Sequence, residues 1–273
     1  MADTLPWLAS LPAQPVIGVV VGPSVAQALG IRRALFRLQQ ARPDADWVLL
    51  GPKPLFCLFE MDTVASAHIP LLAANPLRKG QPRLGHWWQV RRQHRKLAQL
   101  PWQALLAPAS DSAAGGFGQA PDWVPGLLKA LRPVPVVDCP FFNDGPAPPL
   151  LQAGVSALAW ATRLMRQANP RDLKVLTVWP TLNNMLQAHT HGAALGPQAG
   201  VLTVHAVWRD TQQPLLQARQ AKAVAQQTGV ACELVDLPQV LGLLAYADRV
   251  NAHCPVIPRI CLEMGRQDRV VLA

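Results

Sequence analysis

Near the C-terminus, the stretch "NAHCPVIPRICLEMG" (251–265) places His253, Cys254, Cys261 and Glu263 within eleven positions, with Arg259 between them. Three kinds of chemistry suit such a set. Imidazole, thiolate and carboxylate can share a metal ion. A thiol beside an imidazole can act as a nucleophile, and an arginine can hold a diphosphate through its guanidinium fork. If "DRVNAH" is a strand, His253 and Cys254 point to opposite faces, which parts the thiol from its neighbouring base.

Other stretches carry reactive or binding side chains. In "VVVGPSVAQALGIRR" (19–33), Gly22 would let the backbone approach a ligand and Ser24 would open a helix whose first N–H groups favour an anion. The spacing matches neither G-x-G-x-x-G nor G-x-x-x-x-G-K-[ST], and Pro23 lacks an N–H. The stretch "LRKGQPRLGHWWQVRRQHRK" (77–96) holds Arg78, Lys79, Arg83, Arg91, Arg92, Arg95 and Lys96 with His86, His94 and two tryptophans, and no acid. It suits phosphates, a lipid headgroup layer or a solvated helix face. The loop "DSAAGGFGQA" (111–120) follows an apolar run, where open α/β sheets collect ligands. His189 and His191 stand at the end of a helical stretch before Gly192, where the helix dipole already favours them. No carboxylates accompany them at ligand spacing, so neither a metal nor a cofactor is expected.

The elements that must position these residues show in the alternation of short apolar runs with helix-length segments. The runs are 16–21, 46–50, 64–71, 103–107 and 134–137, then 173–178, 200–207, 232–237, 248–253 and 268–273. Continuous Val/Ile/Leu runs between helices predict parallel strands covered on both faces. A helix is expected over 24–41, with Ser24 as its cap, and another over 150–168. "NDGPAPP" (143–149) breaks the pattern as a linker. The expected fold is α/β, with two Rossmann-like domains of mainly parallel sheet, 1–148 and 149–273. In the last part, "CPVIP" reads as a tight connection and "RICLEMG" as a short helix ending at Gly265.

Half of the 273 residues are hydrophobic and 15% are charged, which excludes a disordered chain. No apolar run reaches the roughly 20 residues of a membrane span, and the first residues lack the basic start of a signal peptide. Five scattered cysteines without a C-x-x-C pair suit a cytosolic chain of free thiols. The net charge of +9 points to an anionic partner: a nucleotide, a phosphosugar, a phospholipid or nucleic acid.

The last unit, "LLAYADRVNAHCPVIPRICLEMGRQDRVV", resembles the late C-terminal βαβ unit of GT-B glycosyltransferases, above all glycosyltransferase family 9, the ADP-heptose:lipopolysaccharide heptosyltransferases. The stretch 32–71, with its "PDA" turn, is similar to the family's first half. The resemblance implies a GT-B-like protein binding a nucleotide sugar or phosphosugar in an interdomain cleft. The N-terminal domain would lie on the acceptor side and the C-terminal domain on the nucleotide-sugar side. On this reading donor contacts are expected at His253, Cys254, Arg259 and Glu263, while the glycine turn and the basic run described above are expected to supply phosphate or acceptor contacts at Gly22, Ser24, Arg91, Arg92 and Arg95.

The chain departs from the family pattern. Pro23 and Ser24 stand where the family has an Asp, and "CPVIPR" replaces D-S-G-x-x-H, so a degenerate donor loop is expected. Relative to the family pattern, the closing helices after the last strand, 268–273, are expected to be missing. No catalytic residue is assigned; Glu60, Asp62, Asp111 and His86 are the candidate bases. The alternative is a non-catalytic descendant that binds or assembles through its basic, Trp-bearing segment, and a third reading is an enzyme of another class using the His and Cys residues. The expected location is the cytoplasm, peripheral at the inner membrane. The partners would be an anionic ligand, an anionic membrane surface or lipid-linked acceptor, or a protein, with no sequence-specific nucleic acid.

Overall fold

The computed structural model describes residues 6–22, 24–62, 65–71, 83–107, 127, 129, 131, 134–138, 148–166, 169, 171–192, 195–196, 198–209 and 214–272. Pro23, Arg78, Lys79, Asp111, the 111–120 loop, Cys139 and most of the 143–149 linker lie outside them, as do the side chains of Arg83, His86 and Trp87. The chain divides into two compact units, Met1–Pro149 and Leu150–Ala273.

The first unit opens with the short helix α1 (Pro6–Ala9), followed by β1 (Val16–Val20), α2 (Val25–Ala41), β2 (Asp46–Gly51) and β3 (Ala67–Pro70). Then come α3 (Arg83–Leu97), β4 (Trp102–Ala107) and β5 (Val136–Asp138). The strands lie in the order β3-β2-β1-β4-β5, and every pairing is parallel. Ile17, Val19 and Val20 of β1 are at most 1% exposed, as the continuous apolar run requires of a central strand. Ser24 caps α2 by accepting from the Gln27 N–H, and the helix buries Ala28, Ile31, Leu35 and Leu38 at helical spacing.

The second unit contains α4 (Val155–Met165), β6 (Leu173–Trp179), α5 (Leu182–Thr190), β7 (Val201–Trp208), α6 (Pro214–Thr228) and β8 (Glu233–Val235). It ends with α7 (Leu237–Tyr246), β9 (Arg249–Ala252), α8 (Val256–Glu263) and β10 (Val270–Leu272). Its sheet, β10-β9-β6-β7-β8, repeats the winding of the first, again with parallel pairings throughout. Two mainly parallel Rossmann-like sheets are therefore present.

Two expected elements differ. The helix expected over 150–168 begins only at Val155, because the Leu151 N–H is taken by the Glu263 carbonyl at 2.8 Å and its side chain is buried. The last helix begins at Val256, not Arg259: Pro255 is its N-cap and Pro258 lies in the first turn, where a missing N–H costs no helical bond. Among the described residues, no helix is long and apolar enough to cross a membrane.

Candidate functional site

In an open parallel sheet, ligands gather at the carboxyl ends of the strands. In the second unit the carboxyl ends of β6 and β7 and the first turns of α5 and α6 enclose a pocket of about 510 Å³. One wall is the start of α5. Pro180 ends the strand, Thr181 caps the helix by accepting from the Asn184 N–H at 3.3 Å, and Leu182 and Asn183 form the first turn at the pocket. Unsatisfied first-turn N–H groups make this end of the helix electropositive.

The opposite wall holds Trp208 and Arg209. Arg209 is exposed, and its direction is set by a hydrogen bond from Nη2 to the Leu234 carbonyl at 2.8 Å. Trp208 donates its indole N–H to the Cys254 sulfur at 3.4 Å, and its carbonyl accepts from Gln217 Nε2 at 2.7 Å. The indole is thus held at its edge, with the ring at the pocket. Leu216 and Gln220 complete the lining from α6. The arrangement offers a cation and a helix N-terminus for a phosphate, with an aromatic surface for a base or sugar ring.

Behind the pocket, Trp179 at the end of β6 is 2% exposed. The His253 ring stacks on it, centroids 3.8 Å apart and planes at 10°. Its indole N–H donates to Nδ1 of His205 at 3.2 Å, and Nε2 of His205 lies 3.2 Å from the Leu195 carbonyl. Nδ1 is therefore the acceptor, and the proton of the neutral ring sits on Nε2. Burial pushes the His205 imidazole below its ordinary range, against the raising effect of the Leu195 bond. Burial also lowers His253.

The expected donor residues are spread by this geometry. His253 is half-buried on Trp179, and Cys254 is buried with Trp208 as its hydrogen-bond partner, so the thiol meets an indole and not a base. Arg259 is the fourth residue of α8, half-buried, and Glu263 is 5% exposed at the helix's last position; neither lines the pocket. Cys261 lies on the same helix, with its thiol pushed up to about 11 by burial. Among the described residues, no group of three or more His, Cys, Asp or Glu could hold a metal ion.

In the first unit, a Cβ on Gly22 would collide with the Gln27 side chain, so the room this glycine provides is filled from within. Ser24 serves as the α2 cap. Arg91, Arg92 and Arg95 are exposed on α3. Asp62 is corrected as a candidate base: both its oxygens accept from Arg32, at 2.6 and 2.7 Å. Glu60 is exposed, and its charge partly offsets the burial that lowers His68.

Thr181, Trp208, Arg209 and Gln217 were not expected from the sequence. The signal was present in "VWPTLNN" and "VHAVWRD", each a strand ending in a turn with a cap residue or a cation.

No family model and no curated protein matches the sequence. Among solved structures, the chain is similar to a glycosyl transferase family 9 protein from Veillonella parvula DSM 2008, with a TM-score of 0.58 and 8% identity over 94% of this chain and 81% of that one. It is also similar to ADP-heptose lps heptosyltransferase II of E. coli, with a TM-score of 0.50 and 12% identity over 93% of this chain and 83% of that one. At these identities the likeness is one of fold. The chain has the GT-B-like α/β fold found in glycosyl transferase family 9, as its C-terminal βαβ pattern led us to expect.

Proposed function

We propose that the second unit binds a nucleotide sugar or related phosphosugar in the pocket between α5 and Trp208. The observation that carries this reading is the juxtaposition, in one pocket of about 510 Å³, of a capped helix N-terminus, Arg209 and an indole fixed by Cys254. The diphosphate would lie at the first turn of α5 and against Arg209, with the base or sugar on Trp208. The E. coli relative's name specifies an ADP-linked sugar, which makes ADP-sugars the first ligands to try. The first unit would face the acceptor.

A second reading, that the protein binds without transferring, is favoured by how a candidate base and two expected contact residues are used. Ser24 caps a helix, Asp62 is held by Arg32, and Cys254 supports Trp208. A transferase without a metal still needs a base for the acceptor and positive charge for the leaving diphosphate.

A thermal-shift series with ADP, UDP, GDP and CDP, free and as sugars, tests binding, since a ligand of the folded state alone raises Tm. A shift with one nucleotide series, lost in Trp208→Ala and Arg209→Ala, is the expected result. No shift with any of them overturns the reading. Release of the nucleoside diphosphate on adding an envelope acceptor separates transfer from binding.

A further inference from the structure

Helix α3 takes no part in that pocket. At about 100° per residue, Val90 and Leu97 share one side of it; both are buried, at 8% and 3% exposed. Leu97 belongs to the core cluster with Trp102, Leu105 and Leu127, and its carbonyl accepts the Trp102 indole N–H at 2.7 Å. That side is the one the fold needs.

The other side carries Trp88, Arg91, Arg92, Arg95 and Lys96, all exposed. Trp88 stands roughly 180° from the buried ridge and is 57% exposed, so it points away from the core. Arg91, Arg92 and Arg95 lie three, four and seven positions on, and together with Trp88 and Gln89 they line a shallow hollow of about 410 Å³. No acidic residue occurs anywhere between Asp62 and Asp111.

We propose that this face of α3 docks the protein on an anionic phospholipid surface, with the arginines at the phosphate layer and the Trp88 indole at the headgroup level. The charge is complementary and of one sign, and basic residues near an anionic leaflet add their attractions almost independently. Indoles settle at the bilayer interface because they join an apolar body to a polar N–H. A strand of nucleic acid would instead be held along several aromatic platforms; the described part of this face offers one exposed indole, Trp88, on one helix. The proposal is independent of the nucleotide reading.

The test is flotation of the full chain with phosphatidylcholine vesicles and with vesicles that also contain phosphatidylglycerol, at low and high salt. Binding only to the phosphatidylglycerol vesicles, weakened by salt, is expected. Arg91→Glu with Arg95→Glu should reduce it by roughly a hundredfold, and Trp88→Ala should weaken it while keeping the salt dependence. Both variants should melt near the parent temperature, because neither touches Val90 or Leu97. Absence of binding to phosphatidylglycerol vesicles overturns the proposal, as does binding that survives the double reversal. Tighter binding of a single-stranded oligonucleotide, lost in the same double variant and competing with vesicles, also overturns it.

Discussion

Trp179 donates its indole N–H to Nδ1 of His205 at 3.2 Å, so this buried imidazole is committed to its neutral form. A proton on Nδ1 would turn the acceptor into a second donor facing the indole. Unfolded His205 titrates near about 6.5, whereas burial lowers it in the fold. Between those values the unfolded chain holds the extra proton, so stability is fully present above the unfolded value and falls as the pH drops toward the folded one. Urea unfolding at about pH 7.5 and about pH 5.5 should show the loss. His205→Asn, which keeps an acceptor but cannot titrate, should show a shallower dependence, with His68, His94 and His253 supplying the rest because burial lowers them too.

Arg32 and Asp62 form a bidentate pair with side chains 2% and 9% exposed, and Arg32 also donates to the Pro149 carbonyl at 2.8 Å. Asp62→Asn should cost about 3 kcal/mol of stability, since it strands a buried cation. Arg32→Met with Asp62→Leu should recover most of that loss. Nucleotide binding measured on the folded fraction should be unchanged by either, and a specific loss of binding would return Asp62 to the list of functional groups.

Gly242 of α7 is packed so closely on α4 that an added Cβ would strike the Ala157 carbonyl and lie 3.3 Å from the Ala161 methyl. Gly242→Ala should therefore destabilise the protein by about 2 kcal/mol despite alanine's better helix propensity. Calorimetry of the variant decides; a stabilised protein would mean that the two helices can part without cost.

The Cys254 sulfur has a supporting part, which separates two substitutions. Cys254→Ser keeps an acceptor for the Trp208 indole and should hold nucleotide affinity within a fewfold. Cys254→Val removes it and should cost on the order of 1 kcal/mol in stability, with Kd rising as Trp208 loses its fixed position. Complete loss of function on Cys254→Ser would instead indicate thiol chemistry.

Much of the fold was legible because a buried parallel sheet has no polar face, and its strands stand out as unbroken Val/Ile/Leu runs such as 16–21 and 173–178. Helix α2 was legible from Ser24 and the spacing of its leucines. What was not legible depends on partners far away in the chain. Leu150 and Leu151 look helical by period, yet the Leu151 N–H is bonded to the Glu263 carbonyl and the helix begins only at Val155. Pro255 and Pro258 look like a break, yet they fall in positions of α8 where proline is tolerated. The pocket joins Thr181 to Trp208 and Gln217, residues whose proximity comes only from the pairing of β6 with β7. The unusual cluster at 253–263 falls at the end of β9 and along α8, and its Arg259 and Glu263 do not line the pocket.

Each sheet closes all its pairings with strands of its own half, and in the same winding order. The consequence concerns synthesis. By the time Pro149 has been added, every strand that the first sheet requires already exists, so that half can condense on the ribosome while the second is still being translated. The pairings of greatest sequence separation in each half are β1 with β4 and β6 with β9, and pairings of that kind are the ones expected to form last. A chain assembled this way exposes only one unfinished sheet at a time, which limits the unpaired edges open to aggregation during its making.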